Sequence, residues 1–202
     1  MYRCMNNLII VGSGGHCGVV IDAVRALGEY NVCLLMDDTC VGQERHGFKV
    51  QPITDEFLHV ASFIAIGDNK IREELSKKFE LFTNIIYPTA IVSKQECHGT
   101  YLGANSIIGN NSKVGNFSII NTGVILEHDC KVGEFSHLAP AVVTGGRVKI
   151  GSRTTIGLGS ILQDGITIGS NVIIGMGSVV TKDVPDNEIW WGSPAEFQRL
   201  KK

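Results

Sequence analysis

Residues 101–126 read YLGANSIIGNNSKVGNFSIINTGVIL, and this stretch sets the register of the C-terminal half of the chain. Counting in sixes from Leu102 to Val180 meets an aliphatic residue at every step except Thr144. Glycine follows most of these marker residues, and the fifth position of each hexad is small or β-branched. Hexapeptide periods of this kind predict a parallel β-helix, in which marker side chains fill the interior and equivalent residues of adjacent coils stack.

The composition limits the classes of function. With 202 residues, 44% of them hydrophobic, and a net charge of -2, the chain is long enough for two small globular domains. No basic patch predicts nucleic-acid binding, and no apolar run approaches the length of a membrane span. The chain enters an apolar stretch, Leu8 to Val11, without the features of a signal peptide, so we expect a cytoplasmic protein with no membrane partner.

The first half of the chain has a different pattern, typical of α/β nucleotide-binding folds. Short apolar runs alternate with a glycine-rich loop and with helical periodicity. We predict strands at residues 7–11, 32–36 and 63–66, a helix through Val19 to Leu27 and a helix over 71–79. The fold class is therefore a Rossmann-like nucleotide domain over residues 1–84, followed by an all-β parallel β-helix with a C-terminal cap over residues 85–202.

The loop from Gly12 to His16 can place backbone N–H groups and a helix N-terminus against a phosphate. Its spacing departs from the dinucleotide fingerprint G-x-G-x-x-G because Cys17 stands at the third glycine position, which favours a mononucleotide or a nucleotide sugar. The candidate ligand residues are Gly14, Gly15 and His16 in the loop, and Asp37 and Asp38 after the second strand. An exposed helix start and a strand-ending turn are the alternative interpretations of these residues.

The hexad register is irregular only from about residue 120 to residue 146. Glycines of the second hexad position are replaced there by Asn121, Glu127 and Ala139, and the polar marker Thr144 lies in the same window. Local rules often fail at functional sites. Both histidines of the regular coils, His128 and His137, fall within this window.

Register arithmetic places His128 at the third position of its hexad and Gly146 at the third position one coil later, so the two stack on the outer surface. A residue without a side chain beside an outward imidazole leaves room for a ligand. Asp129 follows directly and can orient the imidazole or raise its basicity, which is the arrangement of a general base.

Taken together, these motifs resemble the sugar O-acyltransferases of the sialic-acid type, and within that group the N-acetyltransferases that act on UDP-linked 4-amino sugars, as in bacillosamine synthesis. The resemblance covers nearly the full chain. It is carried by the hexapeptide array, the GSGGH loop, the Asp37-Asp38 pair, the stretch from Ala65 to Arg72, His128-Asp129-Cys130 with His137, and the ending Gly192-Ser193-Pro194-Ala195.

The resemblance implies a left-handed β-helix, a homotrimer, acetyl-CoA in a groove between subunits, and a nucleotide sugar, UDP-linked, in the N-terminal domain. It implies that His128 is the general base, that Asp129 raises its basicity and that Asn121 lies near the acceptor amine. His137 would meet the acetyl end of acetyl-CoA, and the backbone N–H of Gly146 would polarise the thioester carbonyl.

Further binding residues complete this expectation. Gly67, in the stretch that carries the resemblance, is expected beside the nucleotide sugar. Leu158, Gly159, Met176 and Gly177 lie on later coils, on faces that could line the pantetheine path or be plain surface. Cys130 points inward by register, and the six cysteines show no CxxC spacing. We therefore expect reduced thiols, no bound metal and direct transfer without a covalent intermediate.

Alternatives remain at this point. The acceptor could be a hydroxyl of sialic acid or of another sugar, and the nucleotide could be UDP, GDP, CMP or dTDP. A trimeric zinc site of the carbonic anhydrase type would need His98, His128 and His137 to converge. A non-catalytic nucleotide-sugar sensor would explain the two domains, although not the cluster of Asn121, His128 and Asp129.

Overall fold

The structure, a computed structural model, describes residues 6–57, 59–92 and 95–201. Its N-terminal part contains β1 (Asn6–Val11), α1 (Gly15–Leu27), β2 (Tyr30–Met36), β3 (Glu44–Arg45), β4 (Phe48–Lys49), a 3-10 turn (Asp55–Phe57), β5 (Ser62–Ile64) and α2 (Asn69–Ser76). Strands β2, β1 and β5 pair in that order as a parallel sheet, while β3 and β4 form a separate hairpin. This confirms the predicted Rossmann-like α/β arrangement.

Helix α1 packs on this sheet through one apolar face. Its buried residues include Cys17, Val20, Ile21 and Val24, and their spacing of three or four residues is the period of a helix with one buried side. Gly28 ends the helix in the left-handed region with φ 67°, and its N–H donates to the carbonyl of Val24. The packing of α1 on the sheet holds the loop between β1 and α1 at the carboxyl edge of the sheet.

Several predicted boundaries in this part were wrong by two to four residues. Helix α1 begins at Gly15 rather than at Val19, and β2 begins at Tyr30 rather than at residue 32. The third strand ends at Ile64 rather than at residue 66, and the second helix spans Asn69–Ser76 rather than residues 71–79. Asp68 explains the early helix start, because its carboxylate accepts the N–H of Ile71 at 2.9 Å and so caps the first turn.

The C-terminal part is a left-handed parallel β-helix, as expected from the hexads and the resemblance. From β8 to β18 each strand pairs in parallel with the strand one coil later, and three strands make one coil. The strands are β6 (Ile85–Ile86), β7 (Ile91–Val92), β8 (Tyr101–Leu102), β9 (Ile107–Ile108), β10 (Lys113–Val114), β11 (Ile119–Ile120), β12 (Ile125–Leu126), β13 (Lys131–Val132), β14 (His137–Leu138), β15 (Val143–Thr144), β16 (Lys149–Ile150), β17 (Thr155–Ile156), β18 (Ile161–Leu162), β19 (Thr167–Ile168), β20 (Ile173–Ile174) and β21 (Val179–Val180).

The interior of the coils is the predicted one. The marker residues from Leu102 to Val180 are all buried, including Thr144, which is 1% exposed. Cys130 is 1% exposed and belongs to the same core, so its inward position is also confirmed. Continuous stacking of these side chains through the coils is what stabilises a solenoid.

The outward residues give the prism three different faces. The domain face lies under the N-terminal part, which packs on Ile85, Tyr101 and Ile119. The lysine face carries Lys113, Lys131, Lys149 and Thr167, all exposed. The apolar face carries only aliphatic outward residues, which are Ile91, Ile107, Ile125, Val143, Ile161 and Val179.

The chain ends in a hairpin on the last coil. Strand β22 (Glu188–Gly192) pairs in parallel with β20 and antiparallel with β23 (Ala195–Leu200). Trp190 is 7% exposed and packs on the solenoid core, whereas Trp191 is half exposed. Capping is therefore a role of Trp190. Across the described ranges, no helix is long and apolar enough to cross a membrane.

Candidate active site

A pocket of about 410 Å³ lies between the glycine loop and the carboxyl ends of β1, β2 and β5. The ends of parallel strands are where open α/β sheets bind ligands. The pocket brings together six of the predicted substrate residues, Gly14, Gly15, His16, Asp37, Asp38 and Gly67. Asn121, the seventh, is not in its lining.

The two aspartates of this pocket differ in what they can offer a ligand. One oxygen of Asp37 accepts the N–H and the hydroxyl of Ser13 at 2.9 and 2.7 Å, and the other accepts the N–H and the hydroxyl of Thr39 at 2.9 and 2.6 Å. A carboxylate has about four acceptor sites, so those of Asp37 are filled. Asp38 accepts one bond at Oδ1, from the N–H of Ile53 at 2.9 Å.

The pKa of Asp37 follows from these bonds. Burial raises the pKa of its carboxyl, but the hydrogen bonds from Thr39 and Ser13 outweigh burial and leave the pKa below the usual value. Asp37 is therefore a charged group that organises the glycine loop. Asp38 keeps a carboxylate oxygen available to a sugar or base.

His16 does not have the exposed position expected of a helix start. Its ring packs edge-on to Tyr101 with centroids 5.2 Å apart and lies 6.4 Å from the ring of His137. Burial and the charge of Arg72, together with His137, lower the pKa of His16 from 6.5 to about 4. Its Nε2 is buried and has no hydrogen-bond partner among the described residues. A neutral imidazole whose buried Nε2 has no partner among the described residues therefore lines the pocket.

His137 joins the pocket to the β-helix. Its Nδ1 donates to the carbonyl of Gly67 at 3.3 Å, which leaves Nε2 as an acceptor for the side-chain amide of Asn121 at 3.4 Å. Burial and the charge of Arg72 lower the pKa of His137 to about 4. Three predicted site residues thus meet at the junction of the two parts of the chain.

Sequence reasoning missed the residue that ties this junction together. Arg72 is 1% exposed and donates to carbonyls of both parts of the chain, and its burial lowers the pKa of the guanidinium to about 10. Its acceptors are Ile66 O, Gly67 O, Asn69 Oδ1, Phe117 O and Phe135 O, at 2.7 to 3.1 Å. The sequence signal for Arg72 was its position at the end of the stretch from Ala65 to Arg72, which carries the family resemblance.

His128 and Asp129 form the expected pair. Nδ1 of His128 lies 2.8 Å from Oδ2 of Asp129, and both side chains are 48% exposed. Hydrogen bonds from His128 and from Asn111 lower the pKa of the Asp129 carboxyl. A neutral imidazole that donates Nδ1–H to a carboxylate presents the lone pair of Nε2 to a substrate. Asn111 was not predicted, although it lies one coil before Asp129 in the same register.

The predicted stacking of His128 on Gly146 is confirmed. A Cβ atom on Gly146 would lie 2.5 Å from Nε2 of His128, so the imidazole lies directly over this glycine. The remaining predicted cofactor residues are on another corner. Leu158 and Met176 are 54% and 80% exposed and lie one coil apart at the same register position, each followed by a glycine in left-handed conformation, Gly159 and Gly177.

Two corners of the prism therefore carry the predicted site. The Asn121 corner (residues 121–124, 139–142, 157–160 and 175–178) joins the domain face to the apolar face. The His128 corner (residues 127–130, 145–148 and 163–166) joins the apolar face to the lysine face. Within one chain the six-stranded apolar face separates them. Within one chain, no group of His, Cys, Asp and Glu among the described residues could hold a metal ion.

The chain matches two protein families over different segments. Residues 7–79 match the PglD N-terminal domain. Residues 106–133 and 147–182 match the hexapeptide repeat of succinyl-transferase. Both matches fall on the parts of the chain described above as the nucleotide domain and the β-helix.

Among curated proteins, UDP-N-acetylbacillosamine N-acetyltransferase of Bacillus subtilis (strain 168) is 32% identical over 106 residues, which are 47% of this chain and 49% of that protein. An uncharacterized protein, L142, of Acanthamoeba polyphaga mimivirus is 34% identical over 55% of this chain and 24% of that protein. The matches thus cover half or less of the length of these curated relatives.

Solved structures match over almost the whole chain. PerB of Caulobacter crescentus, in complex with CoA and GDP-perosamine, has a TM-score of 0.90 and 33% identity, covering 98% of this chain and 100% of that one. The acetyltransferase domain of PglB from Neisseria gonorrhoeae, in complex with acetyl coenzyme A, has a TM-score of 0.87 and 28% identity, covering 96% and 100%.

Proposed function

The chain belongs to the hexapeptide-repeat acetyltransferase family, and from this premise we propose that it transfers an acetyl group from acetyl-CoA to the 4-amino group of a nucleotide-linked sugar. The observation that carries the proposal is the pair of His128 and Asp129 at 2.8 Å, with the imidazole over Gly146. This geometry leaves Nε2 of His128 free to accept a proton. It also places that nitrogen beside the backbone of Gly146, which has no side chain.

In the proposed reaction, Nε2 of His128 accepts a proton from the sugar amine as the nitrogen attacks the thioester carbonyl. The N–C bond forms, the C–S bond breaks, and the leaving CoA thiolate takes up the proton from His128, which restores the neutral imidazole. The charged Asp129 stabilises the imidazolium that forms. The N–H of Gly146 donates to no backbone carbonyl in the described ranges, which suits it to polarise the thioester oxygen.

The pocket at the glycine loop is the proposed nucleotide-sugar site. Gly14 and Gly15 would present backbone N–H groups of the α1 N-terminus to the diphosphate, and Asp38 would contact the base or ribose. Gly67, His16 and Asn121 would face the sugar, because they lie where the pocket meets the β-helix. We propose UDP as the nucleotide, and GDP, which is present in the PerB complex, is the main alternative for the test.

We also propose a homotrimer with active sites between subunits. A catalytic centre that uses both corners cannot form within one chain, since the apolar face lies between them. Six aliphatic residues on that face suit packing against a second copy of the chain. Such packing would bring the His128 corner of one subunit to the Asn121 corner of the next.

Acetyl-CoA would lie along the same subunit boundary. The exposed Leu158 and Met176, with the adjacent Gly159 and Gly177, offer an apolar, glycine-lined corner for the pantetheine arm. His137 would meet the acetyl end. A cytoplasmic location belongs to this proposal because acetyl-CoA and nucleotide sugars are used there, and the proposed chemistry needs no metal.

The test is release of free CoA thiol from acetyl-CoA with UDP-, GDP- and dTDP-linked 4-amino sugars, and with CMP-sialic and free sialic acid. We expect turnover with one amino sugar and a loss of about 100-fold or more in His128→Ala. Turnover with sialic acids alone would assign O-acetylation. Unchanged nucleotide-sugar affinity in His128→Ala, with no turnover by the wild type, would assign a binding module.

A further inference from the structure

One ladder of hydrogen bonds runs along each corner of the β-helix. The N–H at the second hexad position donates to the carbonyl of the marker residue one coil later. Where the second position is glycine, as at Gly109 and Gly133, the bond is 2.7 to 2.8 Å long. At Asn121, Ala139 and Gln163 it is 2.9 to 3.0 Å. Within the regular coils from Leu102 onward, a side chain at this position therefore goes with a slightly longer ladder bond.

The cause of the widening is steric. A Cβ on Gly109 would lie 2.7 Å from the carbonyl carbon of Glu127, and a Cβ on Gly145 would lie 2.6 Å from Cα of Asp164. The backbone of the next coil occupies the place that a side chain needs. Within the regular coils from Leu102 onward, a residue other than glycine at the second position therefore crowds the backbone of the next coil.

Glu127 is the exception to the ladder. Its N–H donates at 3.2 Å to the hydroxyl of Thr144 and makes no bond to the Thr144 carbonyl. The strand pairing agrees, because Ile125 pairs with Val143 but Leu126 and Thr144 do not pair. The Thr144 hydroxyl thus stands between the two coils as a spacer, at the one marker position that is polar.

This interruption of the hydrogen-bond ladder lies at the His128 corner. Glu127 precedes His128, and Thr144 lies two residues before Gly146, over which the imidazole lies. Thr144 is 1% exposed, and its hydroxyl lies 3.4 Å from Sγ of Cys130, so the hydroxyl is not placed to contact a ligand. Resting on the proposed function, we infer that Thr144 is a positioning residue that sets the coil spacing at which His128 reaches the reacting amine.

The test begins with Thr144→Val, which keeps the β-branched shape and removes the hydroxyl. We expect kcat to fall about tenfold to a hundredfold with both KM values within about twofold, because small displacements of a catalytic group lower the rate more than binding. Thr144→Ser should retain kcat. The matched control is Thr154→Val, which also removes a buried hydroxyl that accepts a backbone N–H, at 3.1 Å from Val172. Its kcat should not change.

A second variant separates spacing from stability. Adding Glu127→Gly to Thr144→Val removes the Cβ at position 127. The backbone N–H there can then donate to the carbonyl at position 144, as in the regular ladder. We expect the melting temperature to return toward the wild-type value while kcat stays low, since the spacing is not restored. Recovery of kcat along with stability would show a purely structural role and overturn the inference, as would an unchanged kcat in Thr144→Val.

A readout that needs no turnover distinguishes failure of this inference from failure of the proposed function. The imidazole NMR signals of His128, assigned with His128→Ala, should shift in Thr144→Val and stay in Thr144→Ser. If the wild type acetylates no acceptor, the proposed function fails but this comparison still tests the positioning. Unchanged His128 signals in Thr144→Val would overturn it.

Discussion

Nε2 of His128 occupies the space that a side chain on Gly146 would need, since a Cβ there would lie 2.5 Å from that nitrogen. Gly146→Ala should therefore displace the imidazole from its place beside Asp129. We expect kcat to fall about tenfold or more, because the base moves relative to the amine. Steady-state kinetics would measure this, with thermal melting to show that the β-helix stays folded.

The double variant with His128→Ala provides the control for this prediction. If Gly146 acts through His128, Gly146→Ala should cost nothing more once the imidazole is gone. A further large loss in the double variant would contradict the steric account, and would point to a separate contribution from the Gly146 backbone.

Asp37 and Asp38 should respond differently to removal of their charge. Asp37→Asn places an NH₂ group against N–H and hydroxyl donors, so we expect the glycine loop to lose about 1 to 3 kcal/mol of stability. Asp38→Asn keeps the bond to Ile53 and should leave the melting temperature unchanged while it weakens nucleotide-sugar binding. Calorimetric titration and thermal melting of both variants would decide. Equal effects of the two changes would contradict the assignment.

The buried histidines predict a pH dependence of stability. His16 and His137 have pKa values lowered from 6.5 to about 4, so between these pH values the unfolded chain binds protons that the folded protein does not. Stability is then fully present above about pH 7, falls by about 1.4 kcal/mol per pH unit for each histidine as the pH drops from 6.5 toward 4, and levels off below.

His16→Phe tests how much of this pH dependence of stability comes from His16. Phenylalanine does not titrate and removes the buried Nε2 that has no partner among the described residues. The slope of stability against pH should fall to about half between pH 6 and 4.5, as measured by urea unfolding. A slope equal to that of the wild type would show that His16 titrates normally in the folded protein.

The periodic part of the fold could be predicted well from the sequence, whereas the junction between the N-terminal part and the β-helix could not. Marker residues such as Leu102 and Ile156 repeat every six positions, and this pattern alone predicts coils, interior and stacking, including His128 over Gly146. The contact between His137 and Gly67 joins residues 70 positions apart on different folds, and no periodicity relates them.

Local chemistry was equally hard to derive from residue types alone. Asp37 and Asp38 are the same residue in adjacent positions, yet Ser13 and Thr39 fill the acceptors of the first and leave the second available. The direction in which each side chain leaves the strand decides this. It depends on the turn after β2, which composition does not specify.

The proposed trimer makes a prediction that needs no structure of the assembly. His128→Ala and His137→Ala should each be inactive, because the first removes the base of the His128 corner and the second removes the imidazole that contacts Asn121 at the other corner. If the two corners come from different subunits, mixed trimers of these variants will contain some sites with both histidines intact. Each interface needs one subunit of each kind in one order, so random mixing at equal amounts should restore about a quarter of the wild-type activity. Mixed trimers purified away from the parent trimers should show about a third, because one of their three interfaces has the productive order.

The matched control mixes His128→Ala with Asp129→Ala, two changes on the same corner. No subunit in that mixture supplies an intact His128 corner, so activity should stay at the level of the parents. Co-refolding of differently tagged variants, followed by purification on both tags, would provide the mixed trimers for the CoA-release assay. Absence of activity in the first mixture, with mixed trimers present, would place the whole site within one chain.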